Sequence, residues 1–140
     1  MILADTSAWV EHDRATGSPV DHRLAELIEA DGPLAVTEPV VMEVLAGARD
    51  EERADDLLRL LLRFDLRHVE AASDFEAAAA VYRRCRRAGI TPRGLIDCLI
   101  AAVAFRCGDT LLSHDVDLAR VAAVVGMEMD QASLRPRPFP

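Results

Sequence analysis

The feature that most constrains this chain is a rhythm. Short strand-like stretches, the apolar runs at residues 2–4 (ILA), 33–37 (PLAVT) and 110–113 (TLLS) and the mixed run at 66–71 (LRHVEA), alternate with longer stretches of helical spacing. A helix between one strand and the next lets consecutive strands run parallel, with helices covering both faces. The expectation is therefore an α/β fold with a short parallel sheet of four to five strands flanked by about seven helices. A possible fifth, edge strand is MEMD at 127–130.

The helical stretches carry their own punctuation. The first starts at Thr6 or Ser7. The second, residues 18–32, puts Leu24, Leu27 and Ile28 on one face and stops at Asp31-Gly32-Pro33. The third, residues 38–48, has Pro39 near its first turn and Gly47 near its end. Residues 50–64 begin with acids and continue with arginines, the order that the helix dipole favours. Two long helices follow at 73–89 and 92–108, stopped by Gly89 and Gly108, and a last one at 117–126. No linker divides the chain. Residues 1–130 read as one domain, and 131–140 as a Pro-rich C-terminal tail, disordered or partner-bound.

Composition narrows the function. At 51% hydrophobic residues the chain folds, and at 4% aromatics it has no platform for stacking bases. Its net charge of −8 argues against a general nucleic-acid binder. All 16 basic residues are Arg, so any mechanism that needs a lysine is excluded. Cys85, Cys98 and Cys107 lack a C-x-x-C pair and read as reduced thiols. The four histidines lack zinc-site spacing. There is no secretory signal pattern and no apolar run of membrane-spanning length, so a cytoplasmic protein with no membrane association is expected.

The acids are the informative residues. In parallel α/β folds, ligands sit beyond the carboxyl ends of the strands. Asp5 follows the first strand; Asp115 and Asp117 follow the fourth. Glu43 sits between apolar residues in PVVMEVLAG, and Asp97 lies in GLIDCLIAAV, the most apolar helix. A lone buried carboxylate is costly unless it is paired or binds a metal. Each acid has a plainer reading. Asp5 and Asp115 suit helix N-caps, Asp97 and Asp117 suit a helix's first turn, and Glu43 could face solvent. Four segments each supplying an acid, with no lysine to pair them, suit a hard divalent cation such as Mg²⁺ or Mn²⁺. An ion held so activates water for displacement at phosphorus.

The stretches ILADTSAWVE, VTEPVVMEVLAGA, RGLIDCLIAAVA and TLLSHDVDLARVA, in this order and spacing, resemble the PIN-domain ribonucleases, specifically VapC-type toxins of bacterial toxin–antitoxin pairs. The resemblance spans about residues 2–130. It implies a PIN-like three-layer fold and metal-ligating, catalytic acids at Asp5, Glu43, Asp97 and Asp115. It also implies Asp117 as an accessory metal ligand and supporting hydroxyls at Thr6 and Ser113. The family's last motif often ends in Phe, where Leu118 stands here. The implied activity is Mg²⁺- or Mn²⁺-dependent endoribonuclease cleavage of RNA, tRNA or rRNA, leaving a 5′-phosphate and a 3′-hydroxyl. The implied partners are a VapB-type antitoxin and a second copy in a homodimer.

RNA needs local positive charge. Arg83, Arg84, Arg86, Arg87 and Arg93 cluster before the Asp97 helix, and Arg83, Arg86 and Arg87 have the spacing of one helix face. They read as a phosphate-contacting ridge or as a solvated helix end. Rival functions are a non-catalytic regulator whose acidic pocket binds an Arg-rich partner, and a metal-dependent DNA nuclease. Aspartate-phosphorylating proteins fit poorly, because they normally need a lysine beside the phosphoryl site.

Overall fold

A computed structural model describes residues 1–136. Four strands and seven helices alternate among them. They are β1 (Ile2–Ala4), α1 (Thr6–Asp13), α2 (Pro19–Glu29), β2 (Leu34–Thr37), α3 (Glu38–Ala46), α4 (Glu51–Leu61), β3 (Asp65–Arg67), α5 (Ala71–Arg87), α6 (Leu95–Cys107), β4 (Thr110–Leu112) and α7 (Val116–Val125). All strand pairs are parallel, in the order β3-β2-β1-β4. The chain steps from β1 to β2 to β3 in one direction, then crosses back to the far side of β1. With the right-handed crossovers that parallel strands take, this reversal sends the connection through α5 and α6 over the opposite face from the two connections before it. The expected three-layer α/β architecture is therefore present.

Two local expectations change. The third strand covers Asp65–Arg67 rather than 66–71, because Glu70 already caps α5 and its backbone N–H bonds the Asp74 carboxylate at 2.8 Å. At 127–130 a single parallel bridge, Leu111 to Met129, forms in place of a full edge strand. Beyond it, Ser133 bonds the Ser113 N–H and the Leu111 carbonyl, and the Leu134 N–H bonds the Ser113 carbonyl. The start of the expected tail is thus tied to β4, and residues 137–140 lie outside the described residues.

Side chains explain the layers. β2 is buried along its whole length, as a strand covered on both faces must be. Helix α6 is buried from Cys98 to Ala104, which accounts for its near-uniform apolar sequence. Leu3, Val36, Val40, Ile100, Val103, Leu111 and Leu118 meet in one aliphatic core. Trp9, 2% exposed, packs on Phe64 with ring centroids 6.2 Å apart. Two buried carboxylates are matched by arginines. Asp109 accepts both Arg67 bonds at 2.8 Å, and Asp74 accepts from Arg106 at 3.0 and 2.9 Å. Among the described residues no helix is long and apolar enough to cross a membrane.

Candidate active site

The sheet order reverses between β1 and β4, and the carboxyl ends of these two strands carry the acids. Asp5 leaves β1 and caps α1, its Oδ1 accepting from the Ala8 N–H at 3.0 Å. The capping and site readings are thus compatible at one residue. Ser7 Oγ donates to Asp5 Oδ1 at 2.7 Å, and Ser113 Oγ donates to Oδ2 at 2.7 Å. Asp5 is 3% exposed, and none of these partners is cationic. Burial lifts its carboxyl from 3.8 to about 6; the bonds from Ser113, Ser7 and Ala8 oppose the rise, and the charge on Asp115 adds to it.

The other acids come from three further segments. Glu43, half-buried on α3, accepts from Thr6 Oγ1 at 2.6 Å, so α3 is tied to the first residue of α1. Asp97 lies in the first turn of α6. Burial raises its carboxyl to about 6, and the charges of Asp115, Asp5 and Glu43 push it further in that direction. One side chain thus feels three acids from three different segments. Asp115 caps α7, accepting from the Asp117 N–H at 2.9 Å, and its own N–H bonds Ser113 Oγ at 3.0 Å.

Arg93 enters this cluster from the α5–α6 loop. Its Nη2 donates to Asp115 Oδ1 at 2.8 Å, and its Nε pairs with Asp117 Oδ2. Arg120 pairs with the other Asp117 oxygen at 3.0 Å. Arg83, Arg86 and Arg87 sit elsewhere, exposed together at the end of α5, where they line one shallow depression. The sequence-predicted set therefore divides. Asp5, Thr6, Glu43, Asp97, Ser113, Asp115, Asp117 and Arg93 gather at the strand ends, whereas Arg83, Arg86 and Arg87 form a separate patch. A groove of about 470 Å³ between α5 and α6 contains none of the site acids.

Sequence reasoning missed Ser7. It read as a helix-start residue, yet its hydroxyl links Asp5 to the His114 N–H at 2.8 Å, joining the ends of β1 and β4. Its place two residues after the strand acid was the available signal. Arg93 was read as a phosphate contact, and its pairing with site acids 22 and 24 residues away had no local signature.

The donors in this cluster are all oxygens, the chemistry of a hard divalent cation. As the side chains stand, no three His, Cys, Asp or Glu among the described residues are placed to enclose an ion. Two of the acids are turned onto Arg93 instead. The residue types fit a metal, and their present arrangement fits a guanidinium.

Comparison with known proteins places the fold and the family. The chain is 43% identical over 129 residues to ribonuclease VapC11 of Mycobacterium tuberculosis, covering 91% of this chain and 96% of the relative. The fold superimposes on a chain from the VapBC2 complex of Rickettsia felis bound to a promoter DNA fragment. The TM-score is 0.72 at 17% identity, covering 96% of this chain and 99% of that one. A toxin–antitoxin complex from Klebsiella pneumoniae gives a TM-score of 0.65 at 19% identity, covering 99% and 100%. Residues 2–124 match the PIN domain, and with these relatives the match shows that the chain belongs to the PIN domain family.

Proposed function

We propose that this protein is the toxin of a toxin–antitoxin pair, a metal-dependent endoribonuclease that hydrolyses RNA phosphodiester bonds. The observation that carries the reading is Asp97, whose carboxyl is raised by burial and by Asp115, Asp5 and Glu43 together. A 43% identical relative named as a VapC ribonuclease supports the same activity. Mg²⁺ or Mn²⁺ is the cation that an all-oxygen donor set favours. Asp5, Glu43, Asp97 and Asp115 would hold it, with Asp117 as an accessory ligand. When bound, such an ion supplies an activated water and offsets charge developing at phosphorus.

The protein's own side chains do the positioning. Ser7 and Ser113 each donate to one Asp5 oxygen and fix the plane of its carboxylate. Thr6 fixes Glu43. One site acid orients the attacking water. Arg83, Arg86, Arg87 and Arg93 contact phosphates, with tRNA or rRNA as the substrate class. A VapB-type antitoxin is the inferred partner, supported by solved neighbours that are VapBC complexes from Rickettsia felis and Salmonella typhimurium. A homodimer is also inferred, supported by the exposed Phe75 and Phe105 of α5 and α6, and the proteins would act in the cytoplasm.

The test is cleavage of total RNA by purified protein with Mg²⁺, with Mn²⁺ and with chelator, beside Asp5→Asn and Asp97→Asn. Loss of cleavage in chelator and in both variants is expected. Full cleavage by both variants would remove the metal-site assignment. Preference for DNA over RNA would replace the substrate. A small open reading frame adjacent to this one should encode a protein that binds the chain and suppresses cleavage.

A further inference from the structure

We propose that Arg93 is a tethered counter-cation: it holds Asp115 and Asp117 in the metal-free protein and gives them up when a divalent ion binds. The proposal rests on the nuclease reading above and adds an internal competitor to it.

Three observations carry it. First, the guanidinium spans both acids, with Nη2 on Asp115 Oδ1 at 2.8 Å and Nε on Asp117 Oδ2. Two N–H donors held in one planar fork thus meet two separate carboxylates. Second, the acids as they stand are not arranged to enclose an ion. Asp117 has one oxygen on Arg93 and the other on Arg120, and Asp115 Oδ1 is shared between Arg93 and the Asp117 N–H. An ion reaching Asp117, or Oδ1 of Asp115, therefore competes directly with Arg93. Third, Arg93 is free to leave. Its side chain is 70% exposed, and it sits in a short loop between α5 and α6, between Pro92 and Gly94. The charge balance points the same way. A guanidinium beside a newly arrived dication repels it strongly at such distances, so the two cations exclude each other.

An exchange of this kind has a use. Without metal, the acids are neutralised in part and the site stays ordered. With metal, the guanidinium is released at the mouth of the site, where a phosphate must enter.

The experiment is Mn²⁺ titration calorimetry on the full chain and its variants, paired with NMR of the arginine Nε–H groups during Mg²⁺ titration. Arg93→Gln should bind Mn²⁺ roughly tenfold more tightly than wild type. Arg93→Lys, which keeps the charge but loses the two-point contact, should fall between them. Arg14→Gln, an exposed position outside the site with the same change in net charge, should match wild type. The Arg93 Nε–H resonance, assigned by its loss in Arg93→Lys, should move to the position of solvent-exposed arginines as Mg²⁺ saturates. An Arg93→Gln affinity within twofold of wild type, or a resonance unmoved by Mg²⁺, overturns the proposal and leaves the nuclease reading standing. Absence of Mn²⁺ binding by every variant, or binding by Asp97→Asn equal to wild type, overturns both.

Discussion

Replacing Asp97 with Asn should make the metal-free protein more stable, although it removes a site residue. Asp97 has no hydrogen-bond donor to its side chain among the described contacts, and burial, with the charges of Asp115, Asp5 and Glu43 added, raises its carboxyl to about 6 from 3.8. A shift of that size costs the ionised folded state about 3 kcal/mol. Asp97 is only half-buried, so solvent screening reduces this to about 1–2 kcal/mol. Asn keeps the shape and removes the charge. In chelator at pH 8, Asp97→Asn should therefore unfold about 1–2 kcal/mol later than wild type in urea. The single Trp9 is buried in the core and gives the fluorescence signal.

The pH dependence follows from the direction of the shift. Because the folded state holds the proton more tightly, the stabilisation from protonation is complete below 3.8 and is gone once the pH has risen through about 6. Lowering the pH from 8 to 5.5 should thus close about 0.5–0.8 kcal/mol of the gap, since wild type gains from protonation and the variant does not. Mg²⁺ at a hundred times its dissociation constant should reverse the order, stabilising wild type by about 2.7 kcal/mol and leaving the variant unchanged. If Asp97→Asn is no more stable than wild type in chelator, and both follow the same pH curve, the repulsion argument fails.

Three further outcomes are expected. Arg106→Gln should cost about 2–3 kcal/mol in urea unfolding, because it strands the buried Asp74 carboxylate, and a cost under about 0.5 kcal/mol would show the pair to be dispensable. Burial pushes the Cys98 thiol up to about 11 and raises Cys85 as well, so one equivalent of a thiol reagent should react in the native protein, at the half-buried Cys107; rapid reaction of all three would contradict the packing. Replacing Arg83, Arg86 and Arg87 together with Gln should weaken RNA binding and flatten its salt dependence by roughly one unit of slope per lost phosphate contact; an unchanged slope would make them a solvated helix end.

The fold was legible because its signals are local. Three of the four strands are short apolar runs, and Gly108 and Gly126 close α6 and α7 in left-handed conformations that suit glycine. The β3 boundary was less legible, because LRHVEA keeps a strand-like pattern while the Glu70 N–H is captured by the Asp74 side chain in the first turn of α5. The Ser7 link and the Arg93 contacts depend on rotamers across more than 20 residues of chain, which no local pattern encodes.

Sequence singled out Asp5 by its place after the first strand and by the family resemblance; what it could not show is how each buried acid is paired. Asp5, Asp21, Asp74 and Asp109 are all buried. Asp74 and Asp109 meet arginines, and Asp21 meets the Gly17 N–H and His12, contacts that hold Asp21 and Asp74 below the ordinary carboxylate range. Asp5 meets only two serine hydroxyls and a backbone N–H, and its carboxyl rises. Nothing in the sequence around Asp74 says that Arg106 will reach it, or around Asp5 that no arginine will. A fold that supplies guanidinium partners to buried acids elsewhere leaves this one to hydroxyls, at the point where the sheet order reverses. The unpaired charge destabilises the resting protein. That cost is what a cation entering from solvent would relieve, and it supports Asp5, rather than the better-bonded Asp74 or Asp109, as a proposed metal ligand.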